Sequence, residues 1–293
     1  MTPWNWDSTW PAPAKLNLFL HVVGRRDDGY HLLQTVFRFI DTADSLRFSP
    51  RDDGEIVLAT PIAGVPPESD LTVRAARLLQ THTGCTQGAT IHLDKRLPMG
   101  GGVGGGSSDA ATVLLALNHL WQTGLTRAEL EKLGLSLGAD VPVFIHGRNT
   151  FAEGIGENFT DVELPAESYL ILHPPVHVPT PLIFGDPNLC RSTPAMAPAS
   201  WQPGGGHNDL EPVACHHFPE VAEHLAWLRQ FTPKAMMTGS GACVFAPFAE
   251  RQAAEKALAQ LPAGFKGWVA EGLAEHPIAK IFTETLDNPK KAL

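Results

Sequence analysis

The amino-acid sequence predicts an α+β protein of two domains, and three observations carry that reading. Its 293 residues are about twice the length of a single average domain. Strand-like and helix-like patterns alternate along the chain. Near Gly156 the texture changes, and "RSTPAMAPASWQPGGGHN" beyond it is too rich in proline and glycine to hold regular structure. The first domain is therefore expected over residues 1–156 and the second over 157–293.

In the first domain "KLNLFLHVV" alternates, with Leu16, Leu18, Leu20 and Val22 on one face and Lys15, Asn17 and His21 on the other, the pattern of a half-buried strand. A turn at "GRRDDGY" follows, then three strand candidates, "TVFRFID", "DSLRFS" and "GEIVLA". Asp70 precedes a helical pattern marked by Leu71, Ala75, Leu78 and Leu79, and "ATIHL" leads into a run of glycines. After that run Ala110, Val113, Leu114, Leu117 and Trp121 recur at helix spacing, with Ser107 or Ser108 suited to cap the start. Thr126 and Glu129 make a T-x-x-E capping box for a further helix to about Leu137. In the second domain "YLILHPP", "AMMTG", "ACVFAPF" and "KGWVAEGL" read as strands, while Pro219 to Phe231 and "ERQAAEKALAQL" read as helices. No internal repeat is present.

The composition is 43% hydrophobic and 18% charged, which is ordinary for a globular protein and argues against disorder. A net charge of −9, with no Lys/Arg cluster, speaks against a nucleic-acid partner. Cys85, Cys190, Cys215 and Cys243 lie far apart, so neither a disulfide framework nor a zinc knuckle is indicated, and a reducing cytoplasm fits. The N-terminal stretch has no targeting pattern, and no apolar run approaches the roughly 18 residues of a membrane span. The histidines, including "CHH" at Cys215 to His217, lack a metal-ligand spacing. The expected partner is a small molecule, with no nucleic acid and no membrane, and the expected state is a monomer or weak homodimer.

Chemistry concentrates in "RLPMGGGVGGGSSDAATVLLAL". Each interior glycine costs about 0.5–1 kcal/mol relative to alanine, so six together imply a ligand that approaches bare backbone. Unpaired N–H groups at a helix entrance, with the helix dipole behind them, form an anion site, and phosphate is the natural occupant. A Walker A loop fails because Ser107 stands where lysine should follow Gly106. The dinucleotide pattern G-x-G-x-x-G is met formally by Gly100, Gly102 and Gly105, but the acidic residue it needs about 20 positions on falls inside the capping-box helix. "TGSGA" is not a nucleophile elbow, since Thr238 occupies the first glycine position. A nucleotide-dependent oxidoreductase, and a module that only senses a phosphorylated metabolite, remain alternatives to a kinase.

The whole string "PMGGGVGGGSSDAA" resembles the phosphate-binding signature of the GHMP small-molecule kinases, and "PAKLNLFLHVVGRRDDGYHLLQTVF", "GADVPVFIHGRNTFAEGIGE", "PTPLIF" with "NDLE", and "MTGSGACVF" agree with it. The resemblance implies a GHMP-kinase-like fold, with an N-terminal ATP-binding domain and a smaller ferredoxin-like C-terminal domain. It implies ATP and Mg²⁺ as cofactors. Within the superfamily, "GYH" points to a diphosphocytidyl sugar alcohol, phosphorylated on its 2-hydroxyl in the non-mevalonate route to isoprenoid precursors.

Carried over by resemblance, Lys15 and Asp140 are the catalytic pair, with Asp140 accepting the hydroxyl proton; Asp140 also reads as a helix N-cap ahead of Pro142. Pro98, Met99, Gly100, Gly101, Gly102, Val103, Gly104, Gly105, Gly106, Ser107 and Ser108 form the ATP loop, with the Ser107 hydroxyl as Mg²⁺ ligand. Asn17, Tyr30, His31, Thr180, Phe184, Gly239, Ser240 and Gly241 are the expected substrate contacts. Among them Tyr30 stacks on the pyrimidine, His31 reads its edge and Phe184 covers the other face. Asp209 matches a motif position as well. Asp70 and Asp109 stand where the family usually has asparagine; a carboxylate at Asp109 suits a first helical turn yet repels phosphate.

Overall fold

A computed structural model describes residues 4–62 and 64–279, so the end of the expected second domain, 280–293, lies outside the described residues. In chain order the elements are β1 (Trp10–Arg25), β2 (His31–Arg51), β3 (Ile56–Leu58), α1 (Leu71–Thr83), β4 (Gly88–Asp94), α2 (Gly105–Leu120), α3 (Arg127–Leu137), α4 (Val141–His146), β5 (Thr150–Glu153) and β6 (Asn158–Asp161). They continue with β7 (Ser168–Leu172), α5 (Thr180–Gly185), α6 (Glu211–His217), α7 (Pro219–Leu228), β8 (Met236–Met237), β9 (Val244–Phe248), α8 (Arg251–Leu258) and β10 (Gly267–Glu271).

Two sheets organise the chain. The first runs β3-β4-β2-β5-β6 with β1 paired to β2, and among the described strands its only parallel pair is β3 with β4. The second is wholly antiparallel, in the order β10-β7-β9-β8. Largely antiparallel pairing departs from the doubly wound sheet that a dinucleotide loop requires.

Helix α2 is the axis of the first core. It is apolar on nearly every side, with Ala110, Val113, Leu114, Ala116 and Leu117 all fully buried, as befits a helix enclosed by others. Around it pack Trp10, Phe39 and Phe48 from the sheet, Leu79 from α1 and Phe144 from α4. A second core joins β7 and β9 to α6, α7 and α8 through Leu172, Val213, Leu225, Val244 and Ala254. A third lies between the sheets: Leu16, Phe19, Val36 and Ile40 meet Tyr169, Ile171, Phe245 and Ala270.

This sandwiching explains why β1 is not half-buried as its alternation predicts. Both faces are covered, and Lys15, Asn17 and His21 on the polar side are 2–4% exposed. The segments "TVFRFID" and "DSLRFS" form one strand, because the ladder with β1 continues across the junction through Ala43 and Asp44. The Thr126/Glu129 capping box forms as expected. The serine cap on α2 does not: the helix begins earlier, at Gly105, and its N-cap is Gly104 in the left-handed region, with no side chain bonded to it. A helix does follow Asp140 and Pro142, as α4, while the hairpin of β5 and β6 and the short helices α5 and α6 are additions to the predicted elements.

Candidate active site

Lys15 and Asn17 sit two residues apart on β1, so their side chains leave the same face about 6–7 Å apart. The Lys15 ammonium donates to Asn17 Oδ1 and to the Gly102 carbonyl at 3.1 Å, and lies 3.3 Å from Asp140 Oδ2. It also stands 5.3 Å from the centre of the Phe37 ring. Asn17 is held in turn, its Nδ2 donating to Thr35 Oγ1 at 2.9 Å. A buried lysine this fully partnered has one orientation rather than the many of a surface lysine.

Asp140 reaches the same point from a different direction. It occupies the N-cap position of α4 but has helical φ and ψ and makes no cap bond, contrary to the reading of it as a capping side chain. Its carboxylate turns instead to Lys15 and remains 39% exposed towards the cavity.

The glycine loop has two sides with different demands. On one side it is stitched to protein: Lys15 N–H donates to the Val103 carbonyl, Cys243 N–H to that of Gly101, and the Thr238 hydroxyl to that of Gly102. Gly102 has φ +73°, and a Cβ there would fall 2.2 Å from the Thr238 carbonyl oxygen. On the other side Gly106 is exposed, and a Cβ on it would meet nothing closer than Leu71 Cδ1 at 3.5 Å. Part of the bareness therefore lets two loops interlock, and part leaves an open helix entrance. With no side-chain cap on α2, its first-turn N–H groups are available to a ligand.

These parts border one cavity of about 1150 Å³. The residues predicted for the site line it except Val103, whose side chain belongs to the core between the sheets, Ser108, which is fully buried in α2, and Asp209. Near the start of α1 the wall is apolar, with Ile62, Val65, Leu71 and Leu93. Elsewhere it carries Tyr30, His31 and Phe184, with the His31 and Phe184 rings 5.0 Å apart and Tyr30 59% exposed. Thr180 and Ser240 share a 2.7 Å hydroxyl bond at its rim. Asp209 stays outside it, holding the Val22 N–H, Thr193 and His207.

The two aspartates at asparagine positions have protein partners. Asp70 caps α1, accepting from Thr72 and Val73 N–H. Asp109 lies 2.6 Å from Lys95, which also contacts Asp44 at 2.5 Å. Burial pushes the Asp109 carboxyl up to about 7, the nearby Asp44 acts in the same direction, and Lys95 opposes both.

Four supporting residues lay beyond the sequence reading. Thr238 ties Asn17 N–H to the glycine loop from within a segment that reads as a plain tight turn. Asn208 clamps the same turn through the Met237 and Gly239 carbonyls, both at 2.8 Å. Lys95 follows a strand with no local signal beyond its charge, and Arg191 sits in the proline-rich loop, where it reaches His31.

Fold and site together define a small-molecule kinase of the GHMP class. The GHMP kinases N terminal domain matches residues 70–148 and the GHMP kinases C terminal domain matches residues 195–267. Over 272 residues the chain is 76% identical to the 4-diphosphocytidyl-2-C-methyl-D-erythritol kinase of Dechloromonas aromatica (strain RCB), covering 93% of this chain and 99% of that one. It is 58% identical to the protein of the same name from Ralstonia nicotianae, over 92% and 95% of the two chains. A crystal structure of 4-(cytidine 5'-diphospho)-2C-methyl-D-erythritol kinase superposes with a TM-score of 0.77 at 35% identity, covering 90% of this chain and 99% of that one. A homoserine kinase from Cytophaga hutchinsonii, 15% identical with a TM-score of 0.69 over 92% and 94% of the chains, shares the fold. The chain belongs to the 4-diphosphocytidyl-2-C-methyl-D-erythritol kinase family.

Proposed function

We infer that this protein transfers the γ-phosphoryl group of ATP to the 2-hydroxyl of 4-diphosphocytidyl-2-C-methyl-D-erythritol, a step of the non-mevalonate route to isoprenoid precursors. It acts in the cytoplasm, as a monomer or weak homodimer, through an N-terminal unit that carries the phosphate loop and a C-terminal unit that completes the cavity. The observation that carries the reading is the 3.3 Å Lys15–Asp140 pair beside an uncapped helix entrance. That pair opens on a cavity which also reaches Tyr30, His31 and Phe184.

Asp140 accepts the hydroxyl proton as the acceptor oxygen bonds to the γ-phosphorus and the β–γ bridging bond breaks, leaving ADP. Lys15 stabilises the charge that develops on the transferred group, while Asn17 and the Gly102 carbonyl fix its ammonium. The N–H groups of Gly105, Gly106 and Ser107 cradle the phosphates, and the apolar wall of Ile62, Val65 and Leu71 receives the adenine. Tyr30 and Phe184 flank the cytosine, with His31 at its edge.

The donors fit Mg²⁺. Among the described residues no group of three Asp, Glu, His or Cys side chains forms a cage, and the available ligands are hard oxygens, the Ser107 hydroxyl and the Asp140 carboxylate. An ion that keeps several waters and takes its other ligands from phosphates suits such a sparse set. When bound it neutralises charge on the β- and γ-phosphates.

The test is ADP formation with a panel of acceptors. Turnover is expected with the diphosphocytidyl substrate and not with mevalonate or homoserine. ADP release independent of any acceptor, or a preference for another alcohol, would refute the assignment.

A further inference from the structure

His31 is the one member of the cytosine-binding group that reads hydrogen-bond polarity, and its polarity depends on which ring nitrogen carries the proton. Arg191 decides that. Its Nε–H donates to His31 Nε2 at 3.1 Å. Both terminal nitrogens are also held: Nη1 donates to the Leu189 carbonyl at 3.1 Å, and Nη2 to those of Phe184 and Asp186, each at 2.8 Å. Bound to three carbonyls between the end of α5 and Leu189, the group is held against the ring.

An arginine cannot deprotonate and has no acceptor, so the nitrogen facing it must be a lone pair. A neutral imidazole with its lone pair on Nε2 carries its proton on Nδ1. Protonating the ring would set one N–H against another. Burial, the Arg191 charge and the Arg25 charge all hold His31 below its ordinary pKa, in the same sense as this geometry. None of the described residues bonds to Nδ1, and His31 lines the cavity.

We propose that Arg191 is a positioning residue that sets base specificity: it locks His31 as an Nδ1–H donor, matched to the N3 acceptor of cytosine and opposed to the N3–H of uracil. The proposal rests on the diphosphocytidyl reading above and deepens it. Through the Phe184 carbonyl the same guanidinium also holds the end of α5 that carries the second aromatic ring, so one group ties together two rings whose centroids lie 5.0 Å apart.

The experiment uses full-length, ¹⁵N-histidine-labelled enzyme without ligand, and reads the His31 tautomer by long-range ¹H–¹⁵N correlation. The wild type is expected to show protonated Nδ1 and unprotonated Nε2. Arg191→Met should give mixed tautomers, a KM for the cytidylyl acceptor raised about tenfold or more with kcat within about twofold, and a cytidylyl-over-uridylyl preference reduced by about tenfold. A merely structural arginine would weaken both acceptors equally and leave the tautomer alone. Protonated Nε2 in the wild type, or an unchanged tautomer and preference in the variant, would overturn the proposal. Should the variant fold poorly, the wild-type spectrum still decides. Failure of the kinase assignment shows separately, as wild-type enzyme without acceptor-dependent turnover.

Discussion

Asp140 meets Lys15 across 3.3 Å while the two differ sharply in solvent access, the lysine 2% exposed and the aspartate 39%. The cation is embedded in the fold and the carboxylate faces the cavity. Asp140→Asn is therefore expected to fold normally, since Lys15 keeps Asn17 and the Gly102 carbonyl and no helix cap is lost. Turnover should fall about 10²–10⁴-fold, the range for a positioned acid or base. Single-turnover kinetics check this, and undiminished phosphoryl transfer would remove Asp140 from the mechanism.

Two glycine-to-alanine substitutions separate the two duties of the phosphate loop. At Gly102 a methyl group collides with the Thr238 carbonyl and the backbone is left-handed, so Gly102→Ala should lose about 2 kcal/mol or more of stability. At Gly106, inside the first turn of α2 where a methyl group would make only ordinary contact with Leu71, alanine should leave the melting temperature unchanged or slightly raised. There the cost falls on ATP, whose KM should rise as the methyl group meets the phosphates. Thermal melts beside ATP titrations distinguish them; equal stability losses would contradict the division.

Asp109 makes stability fall as pH rises. Its folded-state pKa of about 7 lies above the unfolded value of about 3.9, so the folded chain holds a proton that the unfolded chain has released. The contribution is complete below pH 4 and is lost as pH climbs through 7. Asp109→Asn should accordingly gain melting temperature over the wild type progressively from pH 4 to 7, with the gain level above that. A gain independent of pH would argue against a protonated Asp109.

Ser107 lies inside α2 and caps nothing, so Ser107→Ala is expected to shift stability by no more than about 0.5 kcal/mol. If its hydroxyl ligates Mg²⁺, the half-saturating metal concentration rises while the melt stays put. An unchanged metal titration would take Ser107 out of the coordination sphere.

The sequence made some of this visible and concealed the rest for identifiable reasons. The capping box at Thr126, the alternation of β1 and the apolar repeat of α2 are local patterns, and each produced its element. What failed was context. Lys15 has the pattern of a solvated strand residue, and it is groups remote in sequence, the glycine loop, Asp140 and Phe37, that close over it. Ser107 looked like a cap because glycine, which takes the left-handed turn at Gly104, has no side chain to announce the role. Arg191 is invisible in a loop 160 positions from the histidine it orients. The loop glycines pointed to a ligand; that Gly102 answers first to Thr238 needed three dimensions.

The buried layer between the two sheets, Leu16 and Phe19 against Ile171 and Phe245, has a mechanical meaning. Past β10 the chain also crosses back: Leu273 N–H bonds to the Phe39 carbonyl, and Asn149 grips the Leu273 and Ala274 carbonyls. Halves fastened by apolar cement and a return strap do not swing like jaws, because parting them would bare oil to water. On the proposed function, capture of reactants then falls to the lips of the cleft, the turn bearing Tyr30 and the Thr180–Ser240 clasp, over a bed that is already set.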